Sequence, residues 1–263
     1  MNPKTIFFDI DGTLLGTRDG KRFQIPPSAL EALDALKKNG HRVVVCSGRQ
    51  EAFIRRFFPG VFDSFVALNG AHIVFEGKTV LDRPLSGERV KALMRHFDAY
   101  GCTYVFIGKH NGWARRFPEK YLGKMDAVYG LPDFLITEWE PEEVDASMMD
   151  FVFETDADYE KCAEAFTDSM VLNRHPGALT NDLSFRDWDK AKGIAEFLSY
   201  SGIRKEDTVA FGDGYNDIAM MGAVGLPVAM GNAVEEVKKT AAYVTAAIFE
   251  DGIYKGLRHL GLI

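Results

Sequence analysis

The segment Phe7-Phe8-Asp9-Ile10-Asp11-Gly12-Thr13-Leu14-Leu15 places two carboxylates one residue apart at the end of an apolar run. Paired negative charge in such a place is unfavourable unless a cation neutralises it. Far along the chain, Val209-Ala210-Phe211-Gly212-Asp213-Gly214-Tyr215-Asn216-Asp217 repeats the arrangement of apolar strand, glycine turn and acids. A carboxylate that attacks phosphorus must approach a dianion, so charge neutralisation is the central requirement of that chemistry. Magnesium suits it, because it binds hard oxygens and bridges carboxylate to phosphate. Together the two segments read as a metal-dependent phosphoryl-transfer site.

Within that reading Asp9 leaves its strand first and is the expected nucleophile. Asp11, two residues on, is placed to protonate a leaving oxygen and then to activate water. Gly12 permits the tight turn beside them. The Ser47 hydroxyl and Gly48 amide can hydrogen-bond phosphate oxygens at a turn whose N–H groups point outward. A lysine should complete the neutralisation.

These residues need a scaffold that brings distant segments to one place. Lys4 to Asp9 reads as a buried strand, and Pro26-Pro27 opens a helix with Leu30, Leu33 and Leu36 on one face, closed by Asn39-Gly40. His41 to Cys46 is a second buried strand that ends in Ser47-Gly48-Arg49. A helix over residues 50 to 58, a strand over 65 to 68 stopped by Asn69-Gly70, and a hairpin with arms at 72 to 75 and 79 to 81 follow. In an open α/β sheet, ligands collect beyond the carboxyl ends of the strands, where Asp9, Asp11, Ser47, Asn69 and Asp213 all fall.

From about Pro84 the pattern changes to helix 87 to 99, strand 103 to 107, an irregular aromatic and basic stretch, strand 148 to 153, helix 157 to 166 and strand 169 to 173. After Trp188 a helix with Ile194, Ala195, Phe197 and Leu198 leads to a strand over 208 to 211, and the α/β pattern resumes to the end. The expected architecture is a doubly wound, Rossmann-like α/β core with a parallel sheet, residues 1–83 and 188–263, interrupted by an inserted α+β domain over 84–187.

The motifs resemble those of the haloacid dehalogenase superfamily of phosphohydrolases, and of its Cof-type sugar-phosphatase branch. Phe8-Asp9-Ile10-Asp11-Gly12-Thr13-Leu14 is similar to its first motif, Ser47-Gly48-Arg49 to its second, Lys192-Gly193 to its third and Gly212-Asp213-Gly214-Tyr215-Asn216-Asp217 to its fourth. Asn69-Gly70-Ala71, Ala229-Met230-Gly231-Asn232-Ala233 and Glu250-Asp251-Gly252-Ile253 are similar to Cof-type segments. The resemblance implies an aspartyl-phosphate on Asp9, acid/base work by Asp11, and magnesium held by the Asp9 carboxylate, the Asp11 carbonyl and Asp213, with Asp217 orienting the metal's waters. It implies phosphate contacts from the Ile10 amide, Ser47, Gly48, Lys192 and Asn216, and a C2-type cap in the insertion. The approach to the third motif, Phe185-Arg186-Asp187-Trp188-Asp189-Lys190-Ala191-Lys192-Gly193, departs from the usual Pro-x-Gly turn and leaves Lys190 as a competitor. Gly193 and the helix that begins there favour Lys192.

Composition bounds the alternatives. With 263 residues, 46% of them hydrophobic, the chain can build a substantial core. A formal net charge of −7 argues against broad affinity for nucleic acid or an anionic membrane, while small anionic substrates remain possible through a local site. The expected partner, a small phosphorylated metabolite, follows from the acid motifs and their resemblance. Three cysteines, Cys46, Cys102 and Cys162, without a Cys-x-x-Cys pair are expected to be buried free thiols. The absence of a basic n-region with an apolar segment, and of a run near the roughly eighteen residues that span a bilayer, points to a soluble, cytoplasmic setting. No organic cofactor is expected, because the glycine fingerprint of dinucleotide sites is missing.

His110, Trp113, Arg115 and Arg116 in the insertion could meet a sugar phosphate or form a solvated loop around one buried Trp, and Asn173, Arg174 and His175 raise the same question. His41, His72, His96 and His259 are read as surface or structural, Met220-Met221 as core packing, and Glu140, Glu142 and Glu143 as a solvated acidic run. Besides a hydrolase of small phosphate monoesters, a phosphomutase on the same core and a non-catalytic phosphometabolite sensor remain open. Oligomeric state is not readable from the sequence.

Overall fold

The strand Thr5–Phe8 is buried at every position, and alternation along it sends its two phenylalanines to opposite faces of a sheet. Phe7 meets Phe197 edge-on at 5.4 Å, whereas Phe8 stacks on Phe211 at 5.3 Å. Phe211 in turn packs beneath Gly256 of the helix Gly252–His259. Apolar residues of both parities are therefore needed, and the continuous run Ile6-Phe7-Phe8 meets that need. The computed structural model describes residues 2–173, 180–186 and 188–263, so Arg174 and His175 lie outside the described residues.

The chain forms two units. Met1–Arg49, Phe58–Leu81 and Asp189–Ile263 make the first, and its sheet has the order Tyr243–Val244, Leu226–Ala229, Thr208–Gly212, Thr5–Phe8, Arg42–Cys46, Phe65–Ala67, His72–Phe75, Lys78–Asp82. The first six strands are parallel, and His72–Phe75 returns antiparallel to Phe65–Ala67. Pro27–Lys38 packs on Gly252–His259, while Lys190–Ser201, Asp217–Ala223 and Glu235–Thr240 pack side by side. This is an α/β, Rossmann-like parallel sheet with helices in two groups, as the residue pattern predicts.

Details differ from the sequence reading. The buried stripe of Pro27–Lys38 is Ala29, Ala32, Leu33 and Leu36, and Leu30 is 41% exposed. A strict three-residue spacing drifts around a helix of 3.6 residues per turn, so i, i+3, i+4, i+7 wins. A hairpin of Gly16–Arg18 and Lys21–Gln24, absent from the reading above, follows Leu15. Its signal was Asp19-Gly20, the pair that a two-residue primed turn prefers, and both residues have positive φ, 52° and 73°.

Gln50–Phe57 and Asp82–Trp188 make the second unit. Its sheet runs Leu135–Ile136, Gly112–Arg115, Tyr104–Gly108, Ala146–Val152, Thr180–Phe185, Met170–Asn173, antiparallel except for the first pair. Phe97, Tyr104, Phe106, Phe151 and Leu183 lie in its core. The stretch read as irregular contains the strand Gly112–Arg115 and the helix Glu119–Tyr129.

Candidate active site

Because the central strands are parallel, the residues that follow them emerge at one edge: Asp9 after Phe8, Ser47 after Cys46, Asn69 beyond Ala67, Asp213 after Gly212. Asp9 is held there by its own amide, which donates to the Phe211 carbonyl at 2.9 Å. The Ile10 carbonyl accepts from the Thr13, Leu14 and Leu15 amides, a tight turn that folds the chain back beside Asp9. Gly12, at φ 89°, completes it. A Cβ there would lie 2.0 Å from Asp213 Oδ2, so both the backbone conformation and the close approach require glycine.

Asp9, Asp213 and Asp217 each bring a carboxylate oxygen within 4.8 Å of the others'. Asp9 and Asp217 are buried. Asp217 Oδ2 accepts from the amides of Asp213 and Gly214, both at 2.9 Å, and its Oδ1 accepts from Lys190 Nζ at 2.7 Å. Lys190 Nζ also donates to Asp9 Oδ1 at 2.6 Å, and Thr13 Oγ1 donates to Asp213 Oδ1 at 2.8 Å.

Electrostatics follow from this crowding. Burial, then the Asp217 charge, pushes the Asp9 carboxyl well above the usual carboxylate range, with Lys190 pulling the other way. Asp213 is pushed up to about 7, again by burial first and Asp217 second. Burial works against charge on Lys190, but the Asp217 and Asp9 carboxylates outweigh it and hold its ammonium above the ordinary lysine value. Three carboxylates around one ammonium carry surplus negative charge. Hard oxygens with surplus charge fit a hard divalent cation such as magnesium, and Asp217, with both oxygens already engaged, suits a supporting place more than direct ligation.

Lys192, favoured from sequence, is not the lysine that joins the acids. Lys190, Gly193, Ile194 and Phe197 form the buried stripe of Lys190–Ser201, and Lys192 lies off that stripe and is exposed. Helix rotation is set by Gly193, where a Cβ would come within 2.5 Å of Gly70 Cα, and by the Asp189 cap, which accepts from the Lys192 amide at 2.9 Å. Extending the apolar stripe back by i−3 from Gly193 would have selected Lys190.

Asp11 stands outside the triad. Its carboxylate, 46% exposed, accepts from Arg49 Nε at 2.7 Å and Nη2 at 2.8 Å, a bidentate pair that sequence reasoning missed. Ser47 is buried, and its Oγ accepts from the Arg49 amide at 3.2 Å. Gly48 sits so close to the Asn69 carboxamide that a Cβ would lie 3.1 Å from Oδ1. Asn216 precedes Asp217–Ala223 as its N-terminal cap residue and is half-buried. Asn232, from a segment noted in the sequence, ties the site loops together: its Nδ2 donates to the Gly12 carbonyl at 2.9 Å and its Oδ1 accepts from the Ile248 amide at 2.9 Å.

In the second unit Trp113 is buried in the core and Arg115 pairs with Asp98 at 3.0 Å, so these two serve the packing of that unit. His110 is exposed. His41 and His72 are buried, His96 bonds the Ala165 carbonyl, and His259 stacks on Tyr243. Met220 and Met221 are core residues, Glu140, Glu142 and Glu143 are exposed, and all three cysteines are buried and free.

Residues 6–257 match the family described as haloacid dehalogenase-like hydrolase. The candidate phosphatase YkrA of Bacillus subtilis (strain 168) is 31% identical over the whole of both chains. The 5-amino-6-(5-phospho-D-ribitylamino)uracil phosphatase YcsE of the same organism is 28% identical, over 97% of this chain and 95% of its own. Among solved structures, the subclass IIB sugar phosphatase BT4131 superposes with a TM-score of 0.82 at 30% identity, over 99% of this chain and 100% of its own. Among the described residues no helix is long and apolar enough to cross a membrane.

Proposed function

This chain belongs to the haloacid dehalogenase-like hydrolase family and is one of its phosphohydrolases of small phosphorylated metabolites; within that assignment we propose that it hydrolyses sugar phosphates in a magnesium-dependent reaction through an aspartyl-phosphate on Asp9. The observation that carries this reading is the buried Asp9–Lys190–Asp217 cluster beside Asp213 at the strand ends.

An Asp9 carboxylate oxygen attacks phosphorus, and the bond to the leaving oxygen breaks as Asp11 gives that oxygen its proton. Water then attacks the aspartyl-phosphate, Asp11 takes the water's proton, and the bond to Asp9 breaks to release inorganic phosphate and restore the carboxylate. Lys190, the Ser47 hydroxyl, the Ile10 and Gly48 amides and Asn216 hold the transferring phosphate, and Lys190 also favours the ionised form of Asp9 against burial and holds it in place. The Asp9 and Asp213 carboxylates and the Asp11 carbonyl would hold magnesium, with Asp217 behind them. The ion supplies the positive charge that lets a phosphate dianion approach this acidic site. Asp217, bonded to two amides and Lys190, fixes the loop that carries Asp213 and Asn216. The sugar-phosphate preference is supported by the likeness to the sugar phosphatase BT4131, and the ribityl phosphate ester that YcsE acts on is also a phosphorylated polyol.

The test is phosphate release from sugar phosphates, the ribitylaminouracil phosphate and p-nitrophenyl phosphate, with magnesium or EDTA, for the native chain and Asp9→Asn. Release that needs magnesium and vanishes in a folded Asp9→Asn protein is expected. Turnover unchanged by that substitution would overturn the assignment of Asp9.

A further inference from the structure

Resting on the phosphatase reading above, we propose that Arg22 and Phe23 of the hairpin, together with Arg49, form a leaving-group subsite that selects phosphate monoesters bearing a second anionic group. The hairpin Gly16–Arg18/Lys21–Gln24 leaves the turn that carries Asp11, where the Leu15 carbonyl accepts from the Gly12 amide at 2.7 Å. Three contacts then run outward from the strand end. Arg49 holds Asp11 bidentately, the Arg49 guanidinium lies 5.7 Å from the centre of the Phe23 ring, and the Arg22 guanidinium lies 5.0 Å from the same ring.

Phe23 has φ 57°, a conformation that a bulky residue rarely adopts and that is held only where surrounding structure imposes it. The consequence here is one aromatic ring shared by two guanidiniums. Burial, and after it the charge of Arg49, lowers the pKa of Arg22, as expected for two like charges brought together, with the Asp11 carboxylate opposing. With Asp11 giving its proton to the leaving oxygen, the atoms of the leaving group beyond that oxygen meet Arg49, Phe23 and Arg22. Guanidinium forks match a carboxylate or a phosphate, so the shared chemistry is an anion a few bonds from the ester oxygen.

The test compares kcat/KM within matched pairs: 3-phosphoglycerate against glycerol 3-phosphate for a carboxylate, and fructose 1,6-bisphosphate against fructose 6-phosphate for a phosphate. Native protein, Arg22→Gln and Arg22→Glu are measured, with phosphoethanolamine added as a cationic leaving group. The native chain is expected to favour the anionic member of at least one pair, which identifies the anion. Arg22→Gln should shrink that preference about tenfold, the loss of one charge-assisted hydrogen bond. Arg22→Glu should move the preference toward phosphoethanolamine, a gain that mere loss of structure cannot produce. Asp9-dependent release with no preference in the native chain, or with a preference that both variants keep, overturns the subsite and leaves the phosphatase standing. No Asp9-dependent release from any compound removes the phosphatase reading and the subsite with it.

Discussion

Lys190 Nζ lies 2.7 Å from Asp217 Oδ1, and both side chains are shielded from water. A buried charge that loses its partner is strongly destabilising, whereas a surface lysine contributes little. Lys190→Met is therefore expected to lower stability by about 3–5 kcal/mol and to abolish turnover, while Lys192→Met changes stability by less than about 1 kcal/mol. Urea denaturation with phosphate-release assays on both variants checks this. A stable, active Lys190→Met protein would return the role to Lys192.

The surplus of carboxylates over ammonium around Asp9 makes a prediction that needs no substrate. Magnesium should raise the melting temperature of the native chain, because binding to the folded state alone adds about 2.7 kcal/mol at a hundredfold excess over Kd. Asp213→Asn removes one hard donor and part of the repulsion, so it should blunt that rise while keeping or raising the melting temperature without metal. Equal magnesium shifts in the two proteins would count against Asp213 as a ligand.

Gly193 offers a test of how the helix positions the site. On propensity alone Gly→Ala inside a helix stabilises by about 0.5–1 kcal/mol. Here the added Cβ meets Gly70 Cα at 2.5 Å, so the helix that carries Lys190 must shift. Gly193→Ala is expected to lower kcat more than KM, and to lower stability instead of raising it. A stabilised, fully active variant would mean that the contact relaxes without moving Lys190.

His41 sets a pH dependence of stability. Burial, and then nearby positive charge that includes Lys4, lowers its pKa, and its Nδ1 accepts from the Lys4 amide at 3.0 Å, which requires the unprotonated atom. The unfolded chain then binds a proton near the ordinary value of about 6.5, before the folded chain does. Stability from neutral His41 is full above that pH and is lost as pH falls through it toward the folded value. Between pH 7.5 and 5.5 (~2 units), urea denaturation should show a larger loss for the native chain than for His41→Asn. Identical losses would show that His41 does not contribute.

Much of the site was legible because it depends on near neighbours. An apolar run followed by Asp9-Ile10-Asp11-Gly12 marks a strand end, a turn and two acids within a few residues, and Phe211-Gly212-Asp213 does the same. The hairpin carrying Arg22 and Phe23 was legible in Asp19-Gly20 but overlooked, since strands of three and four residues give little alternation to read. Leu30 was misplaced because three leucines at equal spacing mimic a stripe that the true helical pitch rotates away from.

The amino-acid sequence by itself determined the main strands and helices of the α/β unit, the glycine turns beside the site and the strand-end acids, all set by local apolar pattern and backbone preference. Only the tertiary structure decided which lysine neutralises them and that Arg49 takes hold of Asp11. Lys190 and Asp9 are 181 positions apart, and Arg49 and Asp11 are 38 apart. Their meeting depends on strand order in the sheet and on the rotation of one helix about its axis, which contacts such as Gly193 against Gly70 set and no short segment contains.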